Sequence, residues 1–482
     1  MNTKKSFALA GTGVFLIFLA TVGRSQTYYK DLKYPKLHEL KMPDVERVEL
    51  DNGMIVFLLE DHELPLIQMN AQIGVGSIDD PADKLGLAMT VGQVMRTGGT
   101  ATMSGDKMDE ALEQIAASVE TRIGLTSGSA SLSVLKEHLD QGLAILADVL
   151  RHPAFPEDKI ELSKIQSRSG IARRNDNPSS INFREYSKLI YGANSPYARQ
   201  MEYDTINAIT REDLMAFHKK FYHPNNILLA AWGDFDRAAL LNKLRQAFAE
   251  WPRASFQRPK LPGVNYQFDA SVNLVKKEDI NQTYVLMGHI GDLMNNPDYP
   301  SLIVMNNILG GMFSSRMFAR IRSRMGLTYS PIAYYTANYD YPGLFYVGCQ
   351  TKSESTLLAI NAMKEEVERM TSELPTEDEL KKSKEYYLNT YVFNFEDKGS
   401  IISRLMTYEF YGYPKDFLQK ERQGVENTSR EDVLRVAKKY LHPDQLRVLA
   451  VGNPAKFDQL LSTLGTVREI DITIREQKKV SP

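Results

Sequence analysis

The chain has 482 residues, with 58 Lys+Arg against 60 Asp+Glu for a net charge of −2, and 43% of its residues are hydrophobic and 24% charged. This is globular composition, long enough at roughly 150 residues per domain for two large domains. The near-neutral balance lacks the basic footprint of a nucleic-acid binder, and a single cysteine, Cys349, excludes an intrachain disulfide framework and any cysteine-based zinc cluster.

Residues 1–25 have the form of a secretory leader: Lys4 and Lys5, then the apolar stretch Phe7 to Val22, then small Gly23 and Ser25 before Gln26. The leader predicts an exported protein, most simply periplasmic, with no membrane span once it is removed. An uncleaved N-terminal anchor is the alternative, because the apolar stretch lies near the lower spanning length. Val48 to Leu59 reads as two strands around a two-residue turn at Asn52-Gly53, and Ile67 to Val75 as a third strand. Asp106 to Ile123 and Lys136 to Leu150 carry helical apolar spacing, and Pro156 to Arg174 reads as another helix. Thr210 stands as the N-cap of a helix leading to Tyr222, and Asn226 to Trp232 returns as a strand. Strand hairpins followed by runs of helix predict an α+β class, with helices on one face of a mostly antiparallel sheet.

The chain repeats itself at long range. Arg211-Glu212-Asp213 recurs as Arg430-Glu431-Asp432, His223-Pro224 as His442-Pro443 and Gly233 as Gly452, each 219 residues on; Ser163-Lys164 recurs as Ser383-Lys384 after 220. A solenoid repeats every 20–50 residues or so, so this is a duplicated domain. The proline- and arginine-rich stretch after Trp251 reads as the seam, which divides the chain into a domain at 44–251, a linker at 252–264 and a second domain at 265–470.

Of the eight histidines, His218 and His223 are five apart and fall on different helix faces. Glu60-Asp61-His62-Glu63 reads as a solvated turn, His289 as an isolated strand residue and Cys349 as a small buried side chain. No nucleophile elbow, phosphate loop or dinucleotide fingerprint is present; Gly310-Gly311 lacks the following Lys-Ser or Lys-Thr.

The stretch from Asn307-Ile308-Leu309-Gly310-Gly311 through Ser315-Arg316, followed by Ile321-Arg322 and Gly326-Leu327-Thr328-Tyr329-Ser330, resembles the second half of the pitrilysin/insulinase metallopeptidase family, which includes the mitochondrial processing peptidases. In the first half, Leu50-Asp51-Asn52-Gly53, Asp61-His62, Gly76 to Pro81, Gly86-Leu87-Ala88 and Asp176-Asn177-Pro178 fall in the family's order, so the resemblance covers roughly residues 44–465. It implies two tandem homologous domains, each a mostly antiparallel sheet covered by helices.

The family's activity rests on a helix bearing H-x-x-E-H, two zinc-binding histidines and a general base, completed by a distal glutamate. The resemblance places these roles on Met89, Gly92 and Gln93, with Gly170 at the distal position, 77 residues beyond Gln93. A thioether, an amide and two hydrogens cannot hold a borderline dication, so no cofactor is expected in this chain. Restoring the four positions is expected to rebuild a ligand set without full activity, second-shell partners being gone. The family's Arg/Tyr pair, seven residues apart, maps onto Arg322 and Tyr329; in relatives the two grip the substrate backbone opposite the metal. The resemblance therefore implies a non-catalytic subunit of an exported zinc metallopeptidase. It would form a heterodimer with a homologous subunit that bears the zinc motif, bind peptide substrate and supply Arg322 and Tyr329 in trans, the extended substrate adding to a sheet edge. The alternative is a non-enzymatic binding or scaffold protein of the same fold.

Overall fold

Residues 66–73 alternate half-exposed Gln68, Asn70 and Gln72 with buried Ile67, Met69, Ala71 and Ile73, the period-two pattern of a strand with one face on a core. A computed structural model describes residues 43–475; the expected leader at 1–25 lies outside the described residues. In chain order the first half contains β1 Glu46–Glu49, β2 Ile55–Glu60, β3 Leu66–Ile73, α1 Leu87–Thr97, α2 Gly105–Gln114, β4 Ser118–Ile123 and β5 Gly128–Leu135. It continues with α3 Leu139–Arg151, α4 Glu157–Ala172, α5 Pro178–Tyr191, α6 Tyr203–Asn207, α7 Arg211–Phe221, β6 Ile227–Gly233 and α8 Arg237–Phe248. The second half opens with β7 Ser271–Lys276, β8 Gln282–Ile290, β9 Asp292–Leu293, α9 Tyr299–Asn306, β10 Ile332–Tyr335, β11 Ala337–Asn338 and β12 Leu344–Lys352. It ends with α10 Thr356–Ser372, α11 Glu377–Tyr391, α12 Lys398–Tyr411, α13 Phe417–Asn427, α14 Arg430–Tyr440, β13 Arg447–Gly452 and β14 Val467–Glu469.

The duplication is visible in the sheets. Sheet one has the order β1-β2-β6-β3-β5-β4, and sheet two, read from its far edge, the order β14-β7-β13-β8-β12-β10. Most pairings are antiparallel; β2 with β6 is parallel, as is its counterpart β7 with β13. The repeated sequence signature falls on equivalent caps. Thr210 and Ser429 each accept from the N–H of the third helical residue, while Asp213 and Asp432 reach back, two reciprocal capping boxes that start α7 and α14.

Each sheet packs one face on its own helices, giving two cores, one around Val56, Met69, Leu132 and Leu146 and one around Met287, Val347, Leu357 and Val436. On the opposite faces the halves exchange a helix. Ile181, Tyr186 and Ile190 of α5 pack on Val275, Leu286 and Val451 of sheet two, and Ile402 and Met406 of α12 pack on Phe57, Leu59 and Ala230 of sheet one. This exchange joins residues 43–475 into one compact body.

Two local expectations are corrected. Residues 118–123 are strand β4, not the end of a helix begun at Asp106: Met108, Leu112, Ile115, Val119 and Ile123 keep helical spacing, but α2 ends at Gln114, Ala116 takes φ 48°, and Val119 continues in a period-two pattern. The turn at Asn52-Gly53 holds three residues, because Leu50 and Met54 still pair (Leu50 N–H to Met54 O, 2.9 Å) and Gly53 takes φ 85°.

Candidate functional site

Helix α1 is fixed at its N-terminus by Asp80, whose buried carboxylate accepts the N–H groups of Gly86 (2.9 Å) and Ala88 (2.7 Å). Burial pushes the Asp80 carboxyl up to about 6, against the pull of those two bonds. Because the folded pKa exceeds the unfolded 3.8, the folded chain binds more protons between pH 4 and 6, and stability falls as pH rises through that window. Relative to Asp80→Asn, the wild type should lose about 3 kcal/mol between pH 3 and pH 7. Urea midpoints of both proteins at the two pH values measure this; parallel pH profiles would contradict it.

Gly92, in the middle of α1, lies against β4. A Cβ there would stand 2.6 Å from Ile123 N and 2.9 Å from Arg122 C, both backbone atoms. Thr121 Oγ1 donates to Gly92 O (2.6 Å), and Arg96 Nε donates to Val119 O (2.8 Å), so α1 occupies the outer edge of β4. The next residue, Gln93, donates through its amide to Gln166 Oε1 (2.6 Å) and accepts from Ser163 Oγ (2.8 Å), both on α4. Gly170 continues the same stripe of α4 one turn beyond Gln166, with no atom within 4 Å of its Cβ position. The expected metal positions and the α4 residues beside them thus carry Met89, Gly92, Gln93, Ser163, Gln166 and Gly170. No carboxylate or imidazole is among them, and the residues present do not fit zinc. Among the described residues, no group of three or more His, Cys, Asp or Glu is gathered where a metal ion could be held.

The second-half pair is differently placed. The chain from Asn306 to Met325 contains two π-helical turns, Asn307–Gly311 and Phe318–Arg324, a rare geometry that concentrates at functional sites. Arg322 lies on the second. Gly326 then takes φ 63°, and the chain turns into the loop that carries Tyr329 ahead of β10. The Arg322 guanidinium stacks 4.6 Å from the Tyr329 ring centroid, 5.5 Å from Phe318 and 5.8 Å from Phe313. Tyr329 and Phe313 are each 80% exposed. Stacking covers the guanidinium faces and leaves its in-plane N–H groups for acceptors. A groove of ≈ 370 Å³ opens beside Tyr329, lined also by Gln282, Gln350 and Lys352. The segment is moored by Arg316, whose Nε and Nη2 grip both oxygens of Glu379 (2.7 and 3.1 Å), and by Arg320 on buried Glu366 (3.0 Å).

Side chains occupy part of the sheet edge next to each place. Beside β10, Tyr335 N–H donates to Asn306 Oδ1 (2.8 Å), and a Cβ on Gly310 would lie 2.9 Å from Ala333 N. Beside β4, Arg96 and Gly92 play the same part.

The other polar candidates have structural partners. His218 Nε2 donates to Leu150 O (2.9 Å), and burial takes the ring down to about 4; His62 pairs with Asp234 at the surface (2.6 Å). His289 is buried and meets His442 from 153 residues away, its ring nitrogen 3.3 Å from His442 N. Cys349 is buried, and burial pushes its thiol up to about 12. Sequence reasoning missed Gln166, Asp80 and Phe313. Phe313 lies inside the family-like stretch, but nothing in one sequence distinguishes an exposed aromatic ring from a buried one.

Comparison with known proteins agrees with this geometry. The family described as "Insulinase (Peptidase family M16)" matches residues 56–201, and "Peptidase M16 inactive domain" matches residues 208–387. A Bacillus subtilis (strain 168) protein described as "Uncharacterized zinc protease YmxG" is 23% identical over 361 residues, 75% of this chain and 87% of that one. A Helicobacter pylori protein described as "Non-peptidase homolog YmxG" is 25% identical over 405 residues, 82% of this chain and 91% of that one. The crystal structure of a peptidase M16 inactive domain from Pseudomonas fluorescens superposes with a TM-score of 0.77 at 24% identity, covering 85% of this chain and 98% of that one. With both halves matched and the metal positions replaced, the chain belongs to the insulinase (M16) peptidase family as a member that lacks its zinc ligands.

Proposed function

We propose that this chain is the non-catalytic subunit of an exported zinc metallopeptidase, paired with a homologous subunit that bears H-x-x-E-H. The observation that carries this reading is the contrast between the two sites. The metal positions are replaced, with Gly92 packed against β4, whereas Tyr329 stands exposed on its loop, stacked on half-buried Arg322 of a moored π-helical segment. Export follows from the leader at 1–25; among the described residues no helix is long and apolar enough to cross a membrane.

In such a pair, hydrolysis belongs to the partner. Arg322 presents planar N–H donors to backbone carbonyls of the peptide, and the Tyr329 O–H donates to the scissile carbonyl oxygen as charge develops on it. Tyr329→Phe keeps the ring under the guanidinium and removes only the hydroxyl, so the assembled pair should lose about 10²–10³ in turnover with the fold intact. Arg322→Ala should raise KM as well. Unchanged turnover in both variants would sink the role in trans and favour the second reading, a non-enzymatic binding or scaffold protein. One observation speaks for that reading: an arginine set among exposed aromatic rings has the composition of a protein-docking hot spot.

A further inference from the structure

The duplication supplies an internal control for the sheet faces that receive the exchanged helices. On sheet two this face carries Tyr284, Ile332, Leu344 and Tyr346, partly buried under α5. On sheet one, α12 covers only β2, β6 and part of β3, and the remainder is an open groove of ≈ 500 Å³. Strand register sets its groups in cross-strand rows. One row runs Trp232, Gln68, Ser133, Ser118, and the next runs Asn70, Ser131, Glu120. Beyond them Arg122 offsets the charge of Glu120 and donates to Ser129 Oγ (3.3 Å). Where one copy is aromatic and apolar, the other is a neutral field of hydroxyls and carboxamides, each able to donate and accept. At its end stands Trp232, which also lines a second groove of ≈ 350 Å³ and whose ring rests on Gly399, where a Cβ would come within 2.7 Å.

We infer that this groove binds a linear, uncharged oligosaccharide. An indole offers an apolar platform to the C–H face of a sugar ring, and alternating donors and acceptors match vicinal hydroxyls. Neighbouring strands stand about 4.8 Å apart, close to the length of one pyranose in a β-1,4-linked chain, so successive sugars meet successive strands along the Trp232 row. Polypeptide is the poorer fit. The groove offers no apolar pockets for alternate side chains, and at the adjacent β4 edge, which would supply main-chain bonds, Val119 O is taken by Arg96 and Ile123 N lies against Gly92.

The chain has two tryptophans, so Trp251→Phe leaves Trp232 as the sole indole reporter. Cellohexaose and chitohexaose titrated into this full-length variant should change its fluorescence saturably, and calorimetry on the wild type should give a Kd of about 1 mM or tighter. Ser131→Tyr, which fills the groove from a surface position, and Gln68→Ala, which removes a row donor without touching the core, should each weaken binding at least tenfold at unchanged thermal midpoint. Silence with both hexasaccharides up to about 10 mM overturns the inference. So does binding that neither variant weakens, or an uncharged Gly/Ser dodecapeptide that competes for the groove more strongly than either sugar.

Discussion

Gly92→Glu is expected to lower the stability of the folded chain by about 3–5 kcal/mol, although glutamate is what active relatives carry at this place in the helix. The Cβ alone would sit 2.6 Å from Ile123 N and 2.9 Å from Arg122 C. Neither atom can yield without moving β4, whose Val119 is wholly buried in the first core. The remaining carboxylate would then be driven into the seam between α1 and β4, where the nearby cations, Arg96 and Arg122, are already engaged by Val119 O and Ser129 Oγ. Urea midpoints measure the loss. Gly92→Ala, which adds only the clash, should cost less than half as much. The combined restoration Met89→His, Gly92→Glu, Gln93→His and Gly170→Glu should not yield a chain that holds stoichiometric zinc, because the side chain added at position 92 pushes α1 off β4 and carries positions 89 and 93 with it. A stable quadruple variant with one zinc per chain would show instead that the seam opens freely.

Glu379→Ala is expected to cost about 3 kcal/mol. Its two oxygens hold buried Arg316, and the same carboxylate accepts the Thr376 N–H (2.8 Å) in the capping box that starts α11. Burial alone would raise the Glu379 carboxyl; the Arg316 guanidinium and the Thr376 cap bring it below its ordinary value. The stabilisation is therefore present above the ordinary glutamate range and is lost as pH falls through the depressed pKa. Removing the carboxylate leaves Arg316 buried, with Glu373 3.9 Å away as its remaining acidic neighbour. Arg316 lies between the two π-helical turns, so the same change should also loosen Arg322, and turnover of the assembled pair should fall even where the variant is folded. Glu379→Gln, which keeps an acceptor for both partners, should recover about half of the stability. Equal stabilities for Glu379→Ala and the wild type would show that Arg316 is not held by this pair.

What could be read from the sequence was what repeats or caps. Thr210 with Asp213 and Ser429 with Asp432 stand 219 residues apart and start equivalent helices, and from that register the matching sheet orders follow. The replaced positions Met89, Gly92, Gln93 and Gly170 were legible for the same reason: spacing along a helix survives substitution. What was not legible depends on tertiary approach. Nothing in Pro178–Tyr191 or Lys398–Tyr411 says that each helix covers the other half's sheet, since an apolar stripe does not name the face it meets. Nothing in Gly92 tells a lost base from a packing glycine until β4 is seen against it. Strand β4 was itself obscured, because Val119 and Ile123 satisfy both helical and strand periods. The side-chain contacts on both sheet edges were equally hidden, being made by Arg96 and Asn306, which reach backbone groups far along the chain.

The pairing of this chain with a zinc-bearing homologue is tested most directly by capture of the tagged mature chain from envelope extract of its own cell, with the associated proteins identified by mass and the zinc content measured. The account predicts an equimolar chain of similar length bearing H-x-x-E-H, with one zinc per pair. Recovery of the tagged chain alone, or within an assembly containing no such homologue, would contradict it.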